Sequence, residues 1–178
     1  MAKTIISELN HHSTDLDDII ALYIACFNAP EKNENWTYHS AKEYFQQRIT
    51  EGSFFLGIRE NNSLVAVLCA GYAKKSFIRN DLDIKLDASL YISLVAVEKK
   101  HQGKGLGKQL LEEAIRLSHH KNYDSIVIRC RKENSPMLSL LQKLGFTTLK
   151  SYASNLGGVL CERVVSIKSL LLSDALNR

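Results

Sequence analysis

The stretch from Tyr91 to Leu117 most constrains how this chain can fold, because three patterns follow one another in it. Residues 92–97 (ISLVAV) are almost continuously apolar and rich in β-branched side chains, which is typical of a strand covered on both faces. Three glycines then alternate with other residues in 102–107 (QGKGLG). The sequence therefore predicts a central strand, a glycine-rich loop and an amphipathic helix. The apolar face of that helix is formed by Leu106, Leu110, Leu111, Ala114, Ile115 and Leu117.

The glycine-rich loop predicts an anion-binding site. Glycines let the backbone approach a ligand closely, and the first-turn N–H groups of a helix have no intrahelical partner. The helix dipole and the side chains of Lys100, Lys104 and Lys108 add positive charge, so we expect a phosphate or pyrophosphate ligand. The Walker A pattern requires a glycine where this chain has Gln102, and the dinucleotide pattern G-x-G-x-x-G is not completed either. A nucleoside triphosphatase or a nicotinamide enzyme is therefore not expected.

A second strand and helix are predicted downstream. Residues 125–130 (SIVIRC) have the composition of a strand. Ser135 is then expected to cap a helix that has Pro136 at its first position and ends at Gly145. The apolar stripe of this helix consists of Met137, Leu138, Leu140, Leu141 and Leu144.

The N-terminal part predicts a strand at 4–9 and two helices. The first helix has Thr14 as a candidate cap and ends near Phe27, and the second covers about 40–49. Strands at 53–59 and 64–73 follow, joined by the hairpin turn Asn61-Asn62. Gly71 is predicted to mark a bulge.

The remaining segments are a charged stretch and a C-terminal hairpin. Residues 74–88 are expected to form a solvated loop. A closing hairpin is predicted at 147–152 and 159–167, and a short helix at 168–178. The complete predicted order is β-α-α-β-β-β-α-β-α-β-β.

The glycine loop also fits the pattern Q/R-x-x-G-x-G/A at Gln102, Gly105 and Gly107. With its flanking strand and helix, it resembles the coenzyme A loop of the GNAT superfamily of acyl-CoA-dependent N-acetyltransferases. The resemblance implies an α/β (α+β) fold, with a mixed, largely antiparallel sheet of about seven strands flanked by about four helices. The element order matches that fold over most of the chain, and the specific motifs lie between Tyr91 and Phe146.

The resemblance implies that acetyl-CoA is the acyl donor and that no metal is needed. In the family, a break in strand pairing frees backbone groups that hold the pantetheine and polarise the thioester carbonyl. An asparagine at the start of the following helix contacts the pantetheine arm, although a plain helix-entry role for this chain's asparagine is an equal alternative. The implied cofactor-binding residues are Leu94, Val95, Ala96, Val97, Gln102, Gly103, Lys104, Gly105, Leu106, Gly107, Lys108 and Asn134.

The loop between the first two helices is implied to wall the acceptor site. Trp36, Tyr38 and Tyr91 are candidate substrate contacts, with ordinary packing as the alternative for Trp36. The segment 74–88 would lie beside the acceptor pocket if it formed a flap. Acidic residues around the expected cleft would suit a cationic small molecule, a lysine side chain or a protein N-terminus. These residues are Glu31, Glu34, Asp81, Asp83 and Asp87.

The catalytic acid and base are where this chain departs from the family. The position of the acid tyrosine of many members is Leu141, and the position of a glutamate base found in some members is Tyr91. Tyr152 is a candidate acid, because a hairpin strand can bring it across the cleft, and core packing is its alternative. Glu34 is a second candidate catalytic residue, as a substitute for the missing acid or base. The further candidates are Ser139, Asp87 and a water chain.

The implied function is an N-acetyltransferase that passes acetyl from acetyl-CoA directly to a primary amine in a ternary complex. The amine would belong to a small molecule, a peptide or a protein. The alternative is a non-catalytic acyl-CoA-binding or sensing domain, which the leucine at the acid position favours.

Composition limits the remaining possibilities. We expect 178 residues to form a single N-acetyltransferase domain over 1–178, and the dispersed net charge of +4 gives no support for nucleic-acid binding. No apolar run is long enough to span a bilayer, so we expect no membrane partner and a cytoplasmic location, and a homodimer is left open. The cysteines have no C-x-x-C pair, which favours free thiols over a zinc site. They are Cys26, Cys69, Cys130 and Cys161.

Overall fold

The computed structural model describes residues 5–10, 14–76, 78, 82, 85–156 and 158–170. Within them lie seven strands and four helices, in the order that the sequence predicts. The strands are β1 (Ile6–Leu9), β2 (Phe54–Glu60), β3 (Ser63–Tyr72), β4 (Ser89–Val97), β5 (Ser125–Arg131), β6 (Thr147–Leu156) and β7 (Val159–Ser169). The helices are α1 (Thr14–Phe27), α2 (Tyr38–Thr50), α3 (Leu106–His120) and α4 (Ser135–Lys143).

The strands form one sheet in the order β1-β2-β3-β4-β5-β7-β6. Neighbouring strands are antiparallel except for β4 and β5, which are parallel and are joined through α3. A long connection of this kind is what a parallel pair requires. The predicted mixed, largely antiparallel sheet of seven strands with four helices is confirmed.

The ladder between β4 and β5 ends before either strand does. It covers Ser89–Ile92 of β4 and Ser125–Ile128 of β5, whereas the strands run on to Val97 and Arg131. Beyond the last pair the two strands separate, so the facing backbone groups are not used by the ladder. A cleft opens in the middle of the sheet at this point.

A β-bulge at Ser93 lies where the two strands separate. The pairs Ala70–Ile92 and Cys69–Leu94 flank it and leave Ser93 as the extra residue on β4. The predicted bulge at Gly71 was wrong, because Gly71 pairs in register within the same ladder. The uninterrupted apolar run hid the real bulge, since both neighbours of the serine are suited to a core.

Two helices cover each face of the sheet. α1 and α2 pack on one face around Ile20, Phe45 and Phe55, and we call it the α1/α2 face. α3 and α4 pack on the other, the α3/α4 face, where Leu110 and Leu141 are buried. Each face therefore has its own apolar core.

The bulge reverses which face of the sheet the even-numbered side chains of β4 occupy. Leu90 and Ile92 are buried on the α3/α4 face, whereas Leu94 and Ala96 are buried on the α1/α2 face. Without the extra residue, even-numbered side chains would stay on a single face. One apolar run thus contributes to both cores.

The segment 74–88 is not the solvated loop that the sequence predicts. Among its described residues, Ile78, Leu82 and Leu86 are buried, and they form a third apolar cluster with Tyr91. Their spacing of four residues is helical, but the charged residues between them masked it.

Three local predictions differ from the structure in detail. Asn134, and not Ser135, caps α4, because its side chain accepts a hydrogen bond from the Met137 N–H (3.3 Å). α2 begins at Tyr38, earlier than predicted, since Thr37 and Ser40 form a capping box. The predicted C-terminal helix is wrong at its start, where β7 continues to Ser169, and residues 171–178 lie outside the described residues.

Replacement of Gly71 by alanine tests the close packing of β3. An added Cβ would lie 2.5 Å from Ser53 Oγ and 3.0 Å from Ser53 Cα, and this backbone cannot move aside easily. We expect Gly71→Ala to lower the free energy of unfolding by about 1–3 kcal/mol in urea denaturation. Gly107→Ala is the matched control, because its Cβ would meet Val95 and Val97 at 3.8 Å without conflict. Equal losses in both variants would contradict this account.

Candidate active site

The cleft between the separated ends of β4 and β5 has a volume of about 770 Å³. Its floor is the β4 segment Tyr91–Val97, and its second wall is Ile128–Arg131 of β5. Side chains from α1 and α2 line it on one face of the sheet, and the start of α3 and of α4 line it on the other. The cleft therefore reaches both faces of the sheet.

The glycine-rich loop forms the α3 end of the cleft. Gly103 and Gly105 have φ of 77° and 80°, and a Cβ built on either would have no atom within 4 Å. Left-handed backbone favours glycine at both positions, and the space beside them is free for a ligand. The first helical hydrogen bond runs from the Gln109 N–H to the Gly105 carbonyl (3.1 Å). The N–H groups of residues 106–108 thus have no helical acceptor, and the dipole of a 15-residue helix favours an anion beside them.

Two side chains fix this loop to the sheet. Gln102 Nε2 donates to the Val97 carbonyl (3.0 Å). His101 is buried, with Nδ1 at 2.8 Å from Glu98 Oε2 and Nε2 at 2.5 Å from Glu60 Oε2. The hydrogen bond from His101 holds the pKa of Glu60 below its usual value. We call this arrangement the His101 clasp, and it ties the start of the loop to the end of β2.

The structure brings almost all predicted cofactor residues to one cleft. The β4 segment Leu94–Val97, the loop residues and Asn134 line it, and Lys104 is the member of the predicted set that does not. Lys104 belongs to the loop, but its side chain is exposed to solvent. Asn134 caps α4 through its Oδ1 and also lines the cleft, so its helix-entry role is confirmed and its contact with the pantetheine arm stays a prediction.

The predicted acceptor contacts from the loop after α1 behave differently from one another. Glu34 is buried, and it accepts hydrogen bonds from the Trp36 indole N–H (2.6 Å) and from Arg131. Trp36 packs against Tyr23 with ring centroids 5.1 Å apart. Tyr38 is half-exposed and donates to Asp17 (2.6 Å). None of these three predicted residues lines the described cleft, whereas the fourth candidate on this face, Tyr91, does.

The candidate acid and base stay predictions. Leu141 is 1% exposed in the α3/α4 core, so the acid position of the family is occupied by a packing residue. The Tyr152 hydroxyl accepts a hydrogen bond from Arg129 (3.1 Å), and the ring packs beside the third cluster. Both carboxylate oxygens of Glu34 already accept hydrogen bonds, which leaves that group poorly placed to take a proton from an amine.

Sequence reasoning missed several polar residues of the cleft. Tyr23 and Tyr44 line it from α1 and α2, and burial raises the pKa of each hydroxyl, so both stay protonated. Three arginines also line it, Arg129, Arg131 and Arg163. The sequence does indicate the arginines, because they lie within apolar strands, and a charged residue is rarely buried unless it is paired.

The described residues around the cleft are not acidic. Glu31 lines it but pairs with Lys99 (3.2 Å), and Glu34 is bonded to Arg131. Asp87 is exposed, whereas Asp81 and Asp83 lie outside the described residues. The described residues therefore give no support to a cleft that selects cations.

The four cysteines are free thiols in the structure. Cys26 and Cys130 line the cleft, and burial raises the pKa of each to about 11. Among the described residues there is no cluster of His, Cys, Asp and Glu that could hold a metal ion. No helix within the described ranges is both long and apolar enough to cross a bilayer.

Comparison with known proteins identifies the class of this fold and site. Residues 16–146, which are most of the chain, match the family described as the acetyltransferase (GNAT) family. The chain belongs to this family, which is one of acyltransferases, as the sequence predicts.

Individual relatives agree with this assignment. Over 60 residues the chain is 37% identical to N-alpha-acetyltransferase 30 of Saccharomyces cerevisiae, and the match spans about a third of each protein (34%). The structure of the ribosomal-protein-S18-alanine N-acetyltransferase from Escherichia coli superimposes with a TM-score of 0.71 at 17% identity, covering 99% of both chains. The Salmonella typhimurium protein yncA, solved with its cofactor acetyl-CoA, gives a TM-score of 0.71 at 18% identity over 95% of both chains. These structural matches establish the fold.

Removal of the His101 clasp tests whether it prepares the loop for its ligand. We expect His101→Ala to raise the Kd for acetyl-CoA about tenfold, since a loosened loop must be ordered on binding. The measurement is calorimetric titration, with urea denaturation to confirm that the variant is folded. His39→Ala is the control, because the His39–Glu43 pair (3.3 Å) is exposed on α2. Unchanged affinity in the folded His101 variant would show that the clasp does not act on the loop.

Proposed function

We propose that this chain is an N-acetyltransferase that transfers acetyl from acetyl-CoA directly to a primary amine in a ternary complex. The amine belongs to a small molecule, a peptide or a protein. The observation that carries the proposal is a single cleft that passes through the sheet, with an anion-binding loop on one side and a separate polar lining on the other. Donor and acceptor can then enter from opposite faces and meet at β4.

The donor half of the site fits coenzyme A. The N–H groups of residues 106–108 and the two left-handed glycines form a cradle for a pyrophosphate. Bound acetyl-CoA would supply the thioester that is attacked. Backbone N–H groups of β4 beyond Ile92, which the ladder with β5 does not use, are available to donate to the thioester carbonyl oxygen. One such donor contributes about 3–4 kcal/mol to catalysis in other enzymes.

The acceptor amine must lose a proton before it attacks. For an amine with a pKa of about 10.4, deprotonation at neutral pH costs roughly 4–5 kcal/mol. The hydroxyls of Tyr23 and Tyr44 have raised pKa values, so they act as hydrogen-bond donors and not as bases. A water chain through the cleft is therefore the route we propose for the proton. The thiolate that leaves has a pKa of about 8.5, so it can depart without the tyrosine that Leu141 replaces.

Direct transfer is supported by the state of the two thiols in the cleft. A covalent acyl-enzyme route through a cysteine requires its thiolate. Because burial raises the pKa of Cys26 and Cys130 to about 11, about one thiol in a thousand is ionised at pH 8.

The domain and compartment are proposed on related grounds. We propose that residues 1–178 form one N-acetyltransferase domain, because one sheet includes strands from Ile6 to Ser169. Free cysteines suit a reducing compartment such as the cytoplasm.

A non-catalytic acyl-CoA-binding or sensing domain is the second candidate. The observation in its favour is the burial of Leu141 where many family members carry the acid tyrosine. Both candidates require the loop, so turnover is the property that separates them.

Mass-spectrometric measurement of acetyl-CoA consumption tests the proposal against a panel of polyamines, aminoglycosides, amino acids and lysine peptides. We expect turnover on at least one class, and we expect Gly105→Leu to abolish both binding and turnover, because the side chain would fill the ligand space. Gly52→Leu is the matched control, since Gly52 has a similar φ of 84° and its Cβ would have one atom within 4 Å, Lys75 Nζ at 4.0 Å. Tight binding of acetyl-CoA without turnover on any amine would favour the sensing domain. Unchanged affinity in Gly105→Leu would contradict both candidates.

The double variant Cys26→Ala, Cys130→Ala tests direct transfer. We expect kcat within about twofold of the parent protein at pH 8, because neither thiol is needed as a nucleophile. A complete loss of turnover in the folded double variant would therefore support a covalent route instead.

A further inference from the structure

Three charged or polar side chains lie in a row across β5, β7 and β6. Arg131 of β5 is directly opposite Arg163 of β7, and Arg163 is directly opposite Tyr152 of β6. Arg129 joins the same group through its hydrogen bond to the Tyr152 hydroxyl (3.1 Å). Residues directly opposite each other in a sheet share a face, so these side chains form one patch.

The patch lies on the α1/α2 face. Ile126, Ile128 and Cys130 of β5 pack toward the α3/α4 core, and the alternating residues, including Arg129 and Arg131, must then point the other way. The contact of Arg131 with Glu34, in the loop after α1, agrees with this direction. The arginines are therefore on the opposite face of the sheet from α3 and α4, which carry the donor half of the site.

Arg163 is the unusual member of the patch. It is 5% exposed, it lines the cleft, and its Nε and Nη2 have no hydrogen-bond partner among the described residues. Buried charges in proteins are normally paired, since an unpaired one is costly. Arg48 differs from Arg163, because it is also buried but donates from Nη1 to Ser76 (3.2 Å) and from Nη2 to Glu51 (3.0 Å).

The surroundings of Arg163 add positive charge. Arg131 lies opposite it, and Lys32, which also lines the cleft, has a pKa lowered by burial and by the nearby Arg131. Among the described residues, Glu34 is the carboxylate bonded to this patch, and it accepts hydrogen bonds from Arg131 and Trp36. One buried carboxylate does not neutralise this group of cations.

We propose that Arg163 binds an anionic group of the acceptor, so that the substrate is an amine that also carries a carboxylate. This inference rests on the proposed acetyl transfer and names the substrate class of the same site. A guanidinium matches a carboxylate with two parallel hydrogen bonds, and Nε and Nη2 of Arg163, which have no partner among the described residues, are two such donors. The acceptor is thus an amino acid, or a peptide whose N-terminus lies near a carboxylate.

The donor does not account for this patch. Its phosphates have their own cradle at the N-terminus of α3, where Gly103 and Gly105 leave open space. The arginine patch belongs instead to the face lined by Tyr23 and Tyr44, whose hydroxyls can donate further hydrogen bonds to an acceptor. Two anion-binding features on opposite faces fit two different substrates.

The first experiment compares matched acceptors by mass spectrometry of acetyl-CoA consumption. Each amino acid is tested beside its carboxamide, its decarboxylated amine and, where one exists, the aminophosphonate. We expect kcat/KM for the carboxylate to exceed that for the carboxamide at least about tenfold, as a charge-assisted hydrogen bond would give. Equal or faster turnover of the carboxamides and plain amines would overturn this inference and leave the proposed acetyl transfer intact.

The second experiment uses Arg163→Gln. We expect kcat/KM for carboxylate acceptors to fall roughly 10- to 100-fold. The kcat/KM for the carboxamides and the KM for acetyl-CoA should stay unchanged. Because Nε and Nη2 of Arg163 have no hydrogen-bond partner among the described residues, we expect its replacement to leave Tm unchanged or higher. Arg48→Gln is the control for a structural arginine, and it should lower Tm by about 10 °C. A similar loss of Tm in Arg163→Gln would show that Arg163 supports the fold instead.

A binding measurement keeps the inference testable if no amine in the panel is acetylated. Calorimetric titration of N-acetyl amino acids into the protein with coenzyme A present should show binding that requires the free carboxylate and Arg163. If these carboxylates bind but no amine is acetylated, carboxylate binding by Arg163 would be supported and the proposed acetyl transfer would be contradicted. Absence of carboxylate binding in the parent protein would overturn the inference.

Discussion

The separation of β4 from β5 is the constraint on which the site depends. A parallel pair inside an otherwise antiparallel sheet would normally be closed along its whole length, but here pairing stops after Ile92 and Ile128. The bulge at Ser93 adds one residue to β4 on its other edge, where β3 continues to pair with it. β4 is thus held firmly on one side while its second edge is left for a ligand. The extra residue also directs Leu94 and Ala96 into the α1/α2 core, so the open edge does not weaken the packing.

The two sides of the cleft are prepared in different ways. The α3 side uses backbone, since its anion site consists of N–H groups and left-handed glycines, and the His101 clasp fixes it to the sheet from below. The α1/α2 side uses side chains on strands, and Arg163 is buried there before any ligand arrives. A backbone site suits a ligand group that is the same in every turnover. A side-chain site can be matched to one particular ligand, and this division fits a common donor with a particular acceptor.

Most of the fold was predictable from the sequence because it follows from local patterns. Apolar alternation, the Asn61-Asn62 turn and the spacing of the α3 stripe each identify an element without knowledge of its neighbours. The glycine loop was predictable for the same reason. Features that depend on pairing were not: the bulge at Ser93 is defined by its partners on β3, and the burial of Ile78 depends on a distant core. Most candidate acceptor residues were chosen from a loop, although the arginines of the cleft come from strands β5 and β7, and Tyr23 and Tyr44 come from α1 and α2.

Glu34 illustrates why a residue's type and neighbourhood do not settle its role. A carboxylate near the acceptor cleft invites interpretation as a base, but this one is buried between an indole N–H and a guanidinium. Its effect is to hold Arg131 in place, because a charge-assisted hydrogen bond fixes direction as well as distance. Arg163, directly opposite, has no such carboxylate among the described residues. The same ladder therefore contains one arginine whose charge is met by the protein and one whose charge is left to be met by a ligand.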